Sequence, residues 1–176
     1  MNKKILIVTT KAITINQFLK NLIVDMLENF NVELACTNPK EVNLDKITKH
    51  KLYFPLSIVQ LVNPFLFIVN LYKNRKFLKK NKFKTIIINT PIASHCLRLS
   101  AIGLKIDFIY YVHGYRFHSK GNYIINFLNY FIEKLLSYIT KKYININYED
   151  YIVTKNNFKK NNILIKGVGI NINVNK

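Results

Sequence analysis

Apolar positions along this chain follow two alternating rhythms. Short runs rich in Ile, Val, Leu and aromatic residues occupy 4–9, 31–37, 85–89, 106–112, 143–147 and 163–166, each bounded by Thr, Asn, Pro or Gly, and each reads as a buried strand. Between them lie stretches with apolar residues three and four apart. In 15–30 the apolar positions are Ile15, Phe18, Leu19, Leu22, Ile23, Met26 and Leu27; in 65–72 they are Phe65, Ile68, Val69 and Tyr72. Segment 91–103 carries Ile92, Cys96 and Leu99 between Pro91, suited to a first helical turn, and Gly103, suited to a stop. Segment 122–140 has the cleanest stripe, Ile124, Phe127, Leu128, Phe131, Leu135, Tyr138 and Ile139, with Asn122, Asn126, Asn129 and Glu133 on the other face. A short polar helix is expected over 148–158, and 40–51 reads as loop or short helix. Strands alternating with helices predict βαβ units, right-handed crossovers and a mostly parallel sheet, hence an α/β fold.

The 176 residues suffice for one domain with a proper core. The formal charge of +18 invites a nucleic-acid or membrane reading, but Lys (24), Asn (24) and Ile (26) dominate the chain together, as AT-rich codons would supply. The charge is therefore discounted as a functional signal, although a surface this basic favours anionic lipids and phosphates. The 27 Lys and Arg do not form one stripe and the Tyr and Phe sit at core spacing, so no specific nucleic-acid partner is expected. Cys36 and Cys96 are isolated and read as reduced thiols. The first ten residues hold too few apolar positions for a signal peptide. A charge-free stretch, 54–72, contains Pro55, Pro64 and several polar residues, which suits shallow membrane contact beside Lys73, Arg75, Lys76, Lys79, Lys80, Lys82 and Lys84 better than a span.

The strand 106–112 empties into His113-Gly114-Tyr115-Arg116-Phe117-His118-Ser119-Lys120-Gly121. In open α/β sheets ligands sit outside the carboxyl ends of the strands, which makes His113 the first site candidate. Its plainer reading is a loop residue that satisfies local backbone groups, and Arg116 and His118 have an equally plain reading as solvated charges. Glu133 reads as a polar helix-face residue pairing with Lys134 or Lys141, or as support for His113. The four histidines and two cysteines show no ligand spacing, so no metal site is expected.

The segments Tyr111-Val-His-Gly-Tyr-Arg-Phe-His118, Ile132-Glu-Lys134, Thr140, Ile144-Asn-Ile-Asn147, Glu149-Asp-Tyr151 and Lys166-Gly-Val-Gly-Ile-Asn171, with Asn89-Thr-Pro-Ile-Ala93, come in one order over most of the chain. That order resembles the N-terminal half of bacterial group 4 retaining glycosyltransferases, the capsule, exopolysaccharide and N-linked-glycan sugar transferases. The resemblance implies a Rossmann-like domain over 1–170, the acceptor-side half of a GT-B enzyme, with 171–176 starting the crossing to a C-terminal donor-binding domain absent from the chain. It implies a UDP-sugar donor with no tightly bound cofactor, transfer of a hexose or N-acetylhexosamine, and a lipid-diphosphate-linked saccharide acceptor at the cytoplasmic face of the inner membrane. It implies a catalytic role for His113, acceptor or sugar binding by Lys11, Gly114, Arg116, His118 and Lys120, a supporting role for Glu133, and interdomain roles for Gly167 and Gly169. Lys11 stands in a Thr9-Thr10-Lys11-Ala12 loop where many relatives carry glycine. Three readings follow from the missing half: a truncated enzyme from a broken reading frame, a subunit working with a separately encoded C-terminal half, or a domain that binds acceptor without turnover; the alternative to the family reading is a non-catalytic membrane-associated or nucleic-acid-binding basic domain.

Overall fold

The computed structural model describes residues 3–56, 63–117, 122–158, 160–165 and 167. Among the described residues, seven parallel strands form one sheet: β1 Lys4–Val8, β2 Asn31–Cys36, β3 Lys49–Lys51, β4 Thr85–Ile88, β5 Asp107–Val112, β6 Thr140–Asn145 and β7 Asn161–Leu164, in the order β3-β2-β1-β4-β5-β6-β7. The helical layer comprises α1 over 12–27, interrupted by a π-helical stretch at Ile15–Leu19, then α2 Pro64–Asn81, α3 Pro91–Ser100, α4 Tyr123–Ser137 and α5 Tyr148–Asn157. This is the doubly wound α/β fold expected.

Strand alternation divides the core. Ile5, Ile7, Val32, Leu34, Cys36 and Ile87 point to one face, where Ala12, Ile15, Leu19 and Ile23 of α1 cover them. Leu6, Val8, Ile86, Ile88 and Phe108 point to the other, under Leu78 of α2 and Ala93, Cys96 and Leu97 of α3. Tyr110, Val112 and Tyr143 continue that second face beneath Tyr130 of α4 and Val153 of α5. Because every strand is parallel, each crossover helix runs back against the strands and starts at their carboxyl ends.

Three helices begin at asparagine caps. Asn63 Oδ1 accepts from Leu66 N (3.1 Å), Asn122 Oδ1 from Ile124 N and Ile125 N (3.0 and 3.2 Å), and Asn147 Oδ1 from Asp150 N (2.8 Å). The fully buried Asn74 bonds Tyr53 through both amide atoms, Nδ2 donating to its carbonyl and Oδ1 accepting from its N–H (both 2.9 Å), which pins α2 to the segment after β3.

The structure changes three expectations. Strand β3 lies in the stretch read as loop or short helix. Strand β6 starts at Thr140 instead of 143, and β7 ends at Leu164. The apolar stripe of α4 faces outward: Ile124, Phe127, Leu128, Phe131, Leu135 and Tyr138 are exposed, while Glu133, Leu136 and Ser137 are buried. Among the described residues no helix is long and apolar enough to cross a membrane.

The reason for the inverted helix is an ion pair. Arg98 of α3 and Glu133 of α4, both fully buried, meet through two hydrogen bonds, Nη1 to Oε1 (2.9 Å) and Nη2 to Oε2 (2.7 Å). Arg98 Nη1 also donates to Thr140 Oγ1 (2.9 Å), Tyr143 OH donates to Glu133 Oε1 (3.1 Å), His95 Nε2 donates to Glu133 Oε2 (3.1 Å), and the guanidinium lies 4.9 Å from the Tyr110 ring centroid. Burial alone would push the Glu133 carboxyl up, but the Arg98 charge and the bonds from His95 and Arg98 outweigh it and hold the pKa at about 2. Glu133 therefore pairs with Arg98, not with Lys134 or Lys141; Lys141 Nζ instead bonds Asp107 (2.5 Å).

Candidate functional site

The strand order reverses between β1 and β4, because the chain leaves β1 toward one edge of the sheet and β4 toward the other. The loops after these two strands diverge and open a crevice at the carboxyl edge. It has a volume of about 340 Å³ and is lined by Thr10, Lys11 and Thr14 on one side, Thr90, Pro91 and Ile92 on the other, and Arg116 from the loop after β5.

The crevice walls are tied together. Thr10 N donates to Thr90 Oγ1 (2.9 Å), the two hydroxyls share a 2.6 Å hydrogen bond, and Thr10 O accepts from Thr37 N and Oγ1 (3.1 and 2.7 Å). These bonds have a consequence for α3. Thr90 is its N-cap residue, yet the hydroxyl is committed to Thr10 and makes no capping bond. The N-cap of α1 is Lys11, which cannot accept one either. Two helix N-termini with no side-chain cap therefore flank a crevice that carries Lys11 and Arg116. Backbone N–H groups, the positive ends of two helix dipoles and two cations converge there, an arrangement whose natural complement is an anion.

His113 stands at the end of β5, its ring 4.9 Å from that of Tyr111, half-buried and lining neither cleft at this edge. Burial lowers its pKa, so the imidazole is neutral at pH 7. Its Nε2 is buried and, like both amide atoms of the fully buried Asn89 just after β4, has no hydrogen-bond partner among the described residues. Unspent polar capacity at strand ends is the exception in folded chains, and here two instances share one edge of the sheet.

Past Gly114 the loop alternates. Gly114 adopts φ +114°, a backbone that favours glycine, although a Cβ there would meet no atom within 4 Å. Arg116 faces the crevice, whereas Tyr115 and Phe117 face a second, larger cleft of about 680 Å³ walled by α4 and the start of α5. Lys11, Arg116 and the flanking threonines are thus brought together, while Gly114 lines the other cleft. Glu133 belongs to the buried ion pair, and His113 is not among its hydrogen-bond partners. His118, Lys120 and Gly169 lie outside the described residues; Gly167 is exposed with φ +74°. Among the described residues no group of three His, Cys, Asp or Glu could hold a metal ion. Sequence reasoning missed Thr10, Thr90 and Arg98. One cue for Arg98 was the presence of only three arginines beside 24 lysines.

No family model matches the chain, and no curated protein does. Solved structures do match in fold. The MurG protein of Acinetobacter baumannii superimposes with a TM-score of 0.59 at 11% identity, over 93% of this chain and 44% of that one. A sucrose-phosphate synthase structure from Thermosynechococcus elongatus gives 0.66 at 13% identity, over 96% and 91%. The lipopolysaccharide outer core galactosyltransferase WaaB, in its apo form, gives 0.55 at 13% identity, over 88% and 42%. The chain thus spans less than half the length of MurG and WaaB. At these identities the likeness establishes the fold, a Rossmann-like domain of the GT-B type, and the fold alone.

Proposed function

We propose that this chain is the acceptor-side domain of a nucleotide-sugar glycosyltransferase that works on a lipid-diphosphate-linked saccharide. The observation that carries this reading is the crevice between β1 and β4, where Lys11, Arg116 and two uncapped helix N-termini make a site for a diphosphate. The motif resemblance over 111–171 and the GT-B-type fold support the same class. Residues 1–170 form the acceptor-side domain in this reading, and donor binding falls to a second domain reached through 171–176, in the same or a separate polypeptide.

The chemistry asked of these residues is electrostatic. Retaining transfer from a UDP-sugar passes through oxocarbenium-like character at the anomeric carbon while negative charge builds on the departing diphosphate, and fixed cations and N–H groups stabilise that charge without reorganising. In this domain Lys11 and Arg116 play the matching part for the acceptor, holding its diphosphate, while the donor's departing diphosphate falls to the second domain. The neutral His113 stands at the end of β5 with its Nε2 buried and lines neither cavity, so the catalytic role implied for it by the resemblance has no contact with either site in this arrangement. Capsule, exopolysaccharide, lipopolysaccharide or N-linked glycan synthesis is the setting that the resemblance favours.

The same reading places the chain peripherally on an anionic membrane, at the cytoplasmic face. Phe65, Ile68 and Tyr72 of α2 and the outward stripe of α4 are exposed on the helical side of the sheet, with Lys73, Lys76, Lys79 and Lys80 following on α2. Because both helices start at the carboxyl edge of the strands, the apolar half of α2 borders the edge that holds the crevice. A lipid-linked acceptor would meet the domain there.

Titration with inorganic pyrophosphate tests the crevice directly. Binding that weakens about tenfold in Lys11→Ala and in Arg116→Ala is expected, since each removes a charge-assisted bond. Transfer of radiolabel from a panel of UDP-sugars to a lipid-diphosphate saccharide, with this chain alone and with a separately supplied donor-binding domain, tests the reaction. Pyrophosphate binding insensitive to both substitutions would remove the basis of the reading.

A further inference from the structure

The larger cleft is built differently from the crevice beside it. The loop after β5 contributes Gly114, Tyr115 and Phe117; the first two turns of α4 contribute Tyr123, Asn126, Phe127 and Tyr130; and the start of α5 contributes Asn147, Glu149, Asp150 and Val153. Two of its aromatic rings are held in place by their own hydroxyls. Tyr115 OH hydrogen-bonds Thr154 Oγ1 (2.5 Å), and Tyr130 OH donates to Asn157 Oδ1 (3.0 Å). Phe117 stacks on Tyr115 with ring centroids 4.9 Å apart and meets Tyr130 edge-on at 5.6 Å. The result is an aromatic wall whose hydroxyls on Tyr115 and Tyr130 are already spent, in a cleft also lined by the carboxylates of Glu149 and Asp150 and the amides of Asn126 and Asn147. Asp150 is tied to Asn147 Nδ2 (2.6 Å), whereas Glu149 is exposed at the rim and makes no ion pair among the described residues.

We propose that this cleft binds an uncharged saccharide ring, the acceptor sugar next to the diphosphate in the transfer reading, on which the sugar's role rests although its binding does not. The C–H face of a pyranose packs against aromatic rings, and its hydroxyls donate to carboxylates and amide oxygens. Both kinds of partner line one space of about 680 Å³, within the size range of small-molecule sites. A nucleotide would also stack on the rings, but among the described residues the cleft lining offers its phosphates no Lys or Arg and two carboxylates, Glu149 and Asp150, which repel like charge. Phosphate belongs on the Arg116 side of the loop and the sugar ring on the Tyr115 side. The polypeptide between the two sites is the short segment 114–117, so one ligand with a sugar joined to a diphosphate can reach both.

Saturation-transfer NMR on the intact chain, with cellobiose, lactose and N,N′-diacetylchitobiose as probes and no donor present, decides the point. At least one disaccharide at millimolar concentration takes up saturation from the aromatic resonances. Tyr123→Ala and Glu149→Gln each weaken its binding by about fivefold or more. Both side chains are exposed, Tyr123 by 82%, so the variants keep the fold, which circular dichroism verifies. Inorganic pyrophosphate and Lys11→Ala leave the sugar signal unchanged. Silence from all three sugars, indifference to both substitutions, or displacement by pyrophosphate or uridine monophosphate would each overturn the proposal. Sugar binding without any transferase activity would sink the transfer reading and leave this site standing; activity without sugar binding in the cleft would do the reverse.

Discussion

Arg98 and Glu133, thirty-five residues apart and on different helices, form a fork-to-fork pair at 2.9 and 2.7 Å with both side chains shut off from solvent. The pair fixes which side of α4 faces the sheet. Each charge is tolerable only because the other is present: removing one leaves its partner buried and uncompensated, at a cost of about 3–5 kcal/mol. Removing both for apolar residues of similar volume restores a neutral interior. Urea unfolding is therefore expected to show Arg98→Met and Glu133→Leu each strongly destabilised, while Arg98→Met/Glu133→Leu recovers most of the loss. Additive losses in the double variant would mean that the pair is not coupled.

Acid should undo part of this arrangement. The Glu133 carboxyl titrates at about 2 in the folded chain against an ordinary 4.5, so the folded state holds its proton less readily than the unfolded state. The stability that it contributes is complete above pH 4.5 and is lost as the pH falls from there toward 2. Glu33, bonded to Lys4 and His50, is also lowered and works in the same direction, whereas Asp150 is raised by burial and works against it. The difference between wild type and Glu133→Gln in thermal melts across pH 2–5 isolates one group. The wild-type advantage should shrink with acid, and an advantage independent of pH would contradict the assignment.

The two thiols should be silent in the native state. Burial pushes Cys36 up to about 11 and Cys96 to about 12, and both side chains sit inside the core clusters on opposite faces of the sheet. At pH 8 neither offers thiolate or access to a disulfide reagent such as dithionitrobenzoate. Reaction of both on addition of denaturant, and of neither before it, is the expected outcome.

The outward apolar stripe of α4, on a chain of net charge +18, predicts binding to anionic membranes that needs both the apolar side chains and the lipid charge. Flotation with phosphatidylglycerol vesicles should recover the chain, flotation with phosphatidylcholine alone should not, and the bound fraction should fall with added salt. Phe127→Gln/Phe131→Gln/Leu135→Gln should abolish recovery while leaving the melting temperature unchanged, since all three side chains are about half exposed. Unaltered recovery would exclude α4 as the docking element.

The sheet was legible because strands buried on both faces read as continuous apolar runs, and these alternate with stretches of period 3.6 even in a biased composition. What the pattern could not carry was contact between distant residues. Strand β3 reads Lys-His-Lys and has no apolar signal. It forms because β2 offers it an edge and because Glu33 on that strand, already paired with Lys4, accepts from His50 Nε2 (2.5 Å). Periodicity showed that α4 is two-sided but not which side is inward; the usual rule fails because Glu133 finds Arg98 across thirty-five residues of chain. At the carboxyl edge His113 follows β5, as its strand predicts, but it lines neither of the two cavities there. The meeting of Lys11 with Arg116 depends on the reversal of strand order, which no local stretch encodes.

The alternating loop after β5 has an evolutionary consequence. Neighbouring codons there answer to different cavities: a change at Tyr115 or Phe117 alters one without touching the other, and a change at Arg116 does the opposite. Selection can then drift along one axis of recognition while holding the second constant. Under the transfer reading proposed above, a lineage carrying this loop could trade one glycan for another by single substitutions and keep its grip on the handle those glycans share.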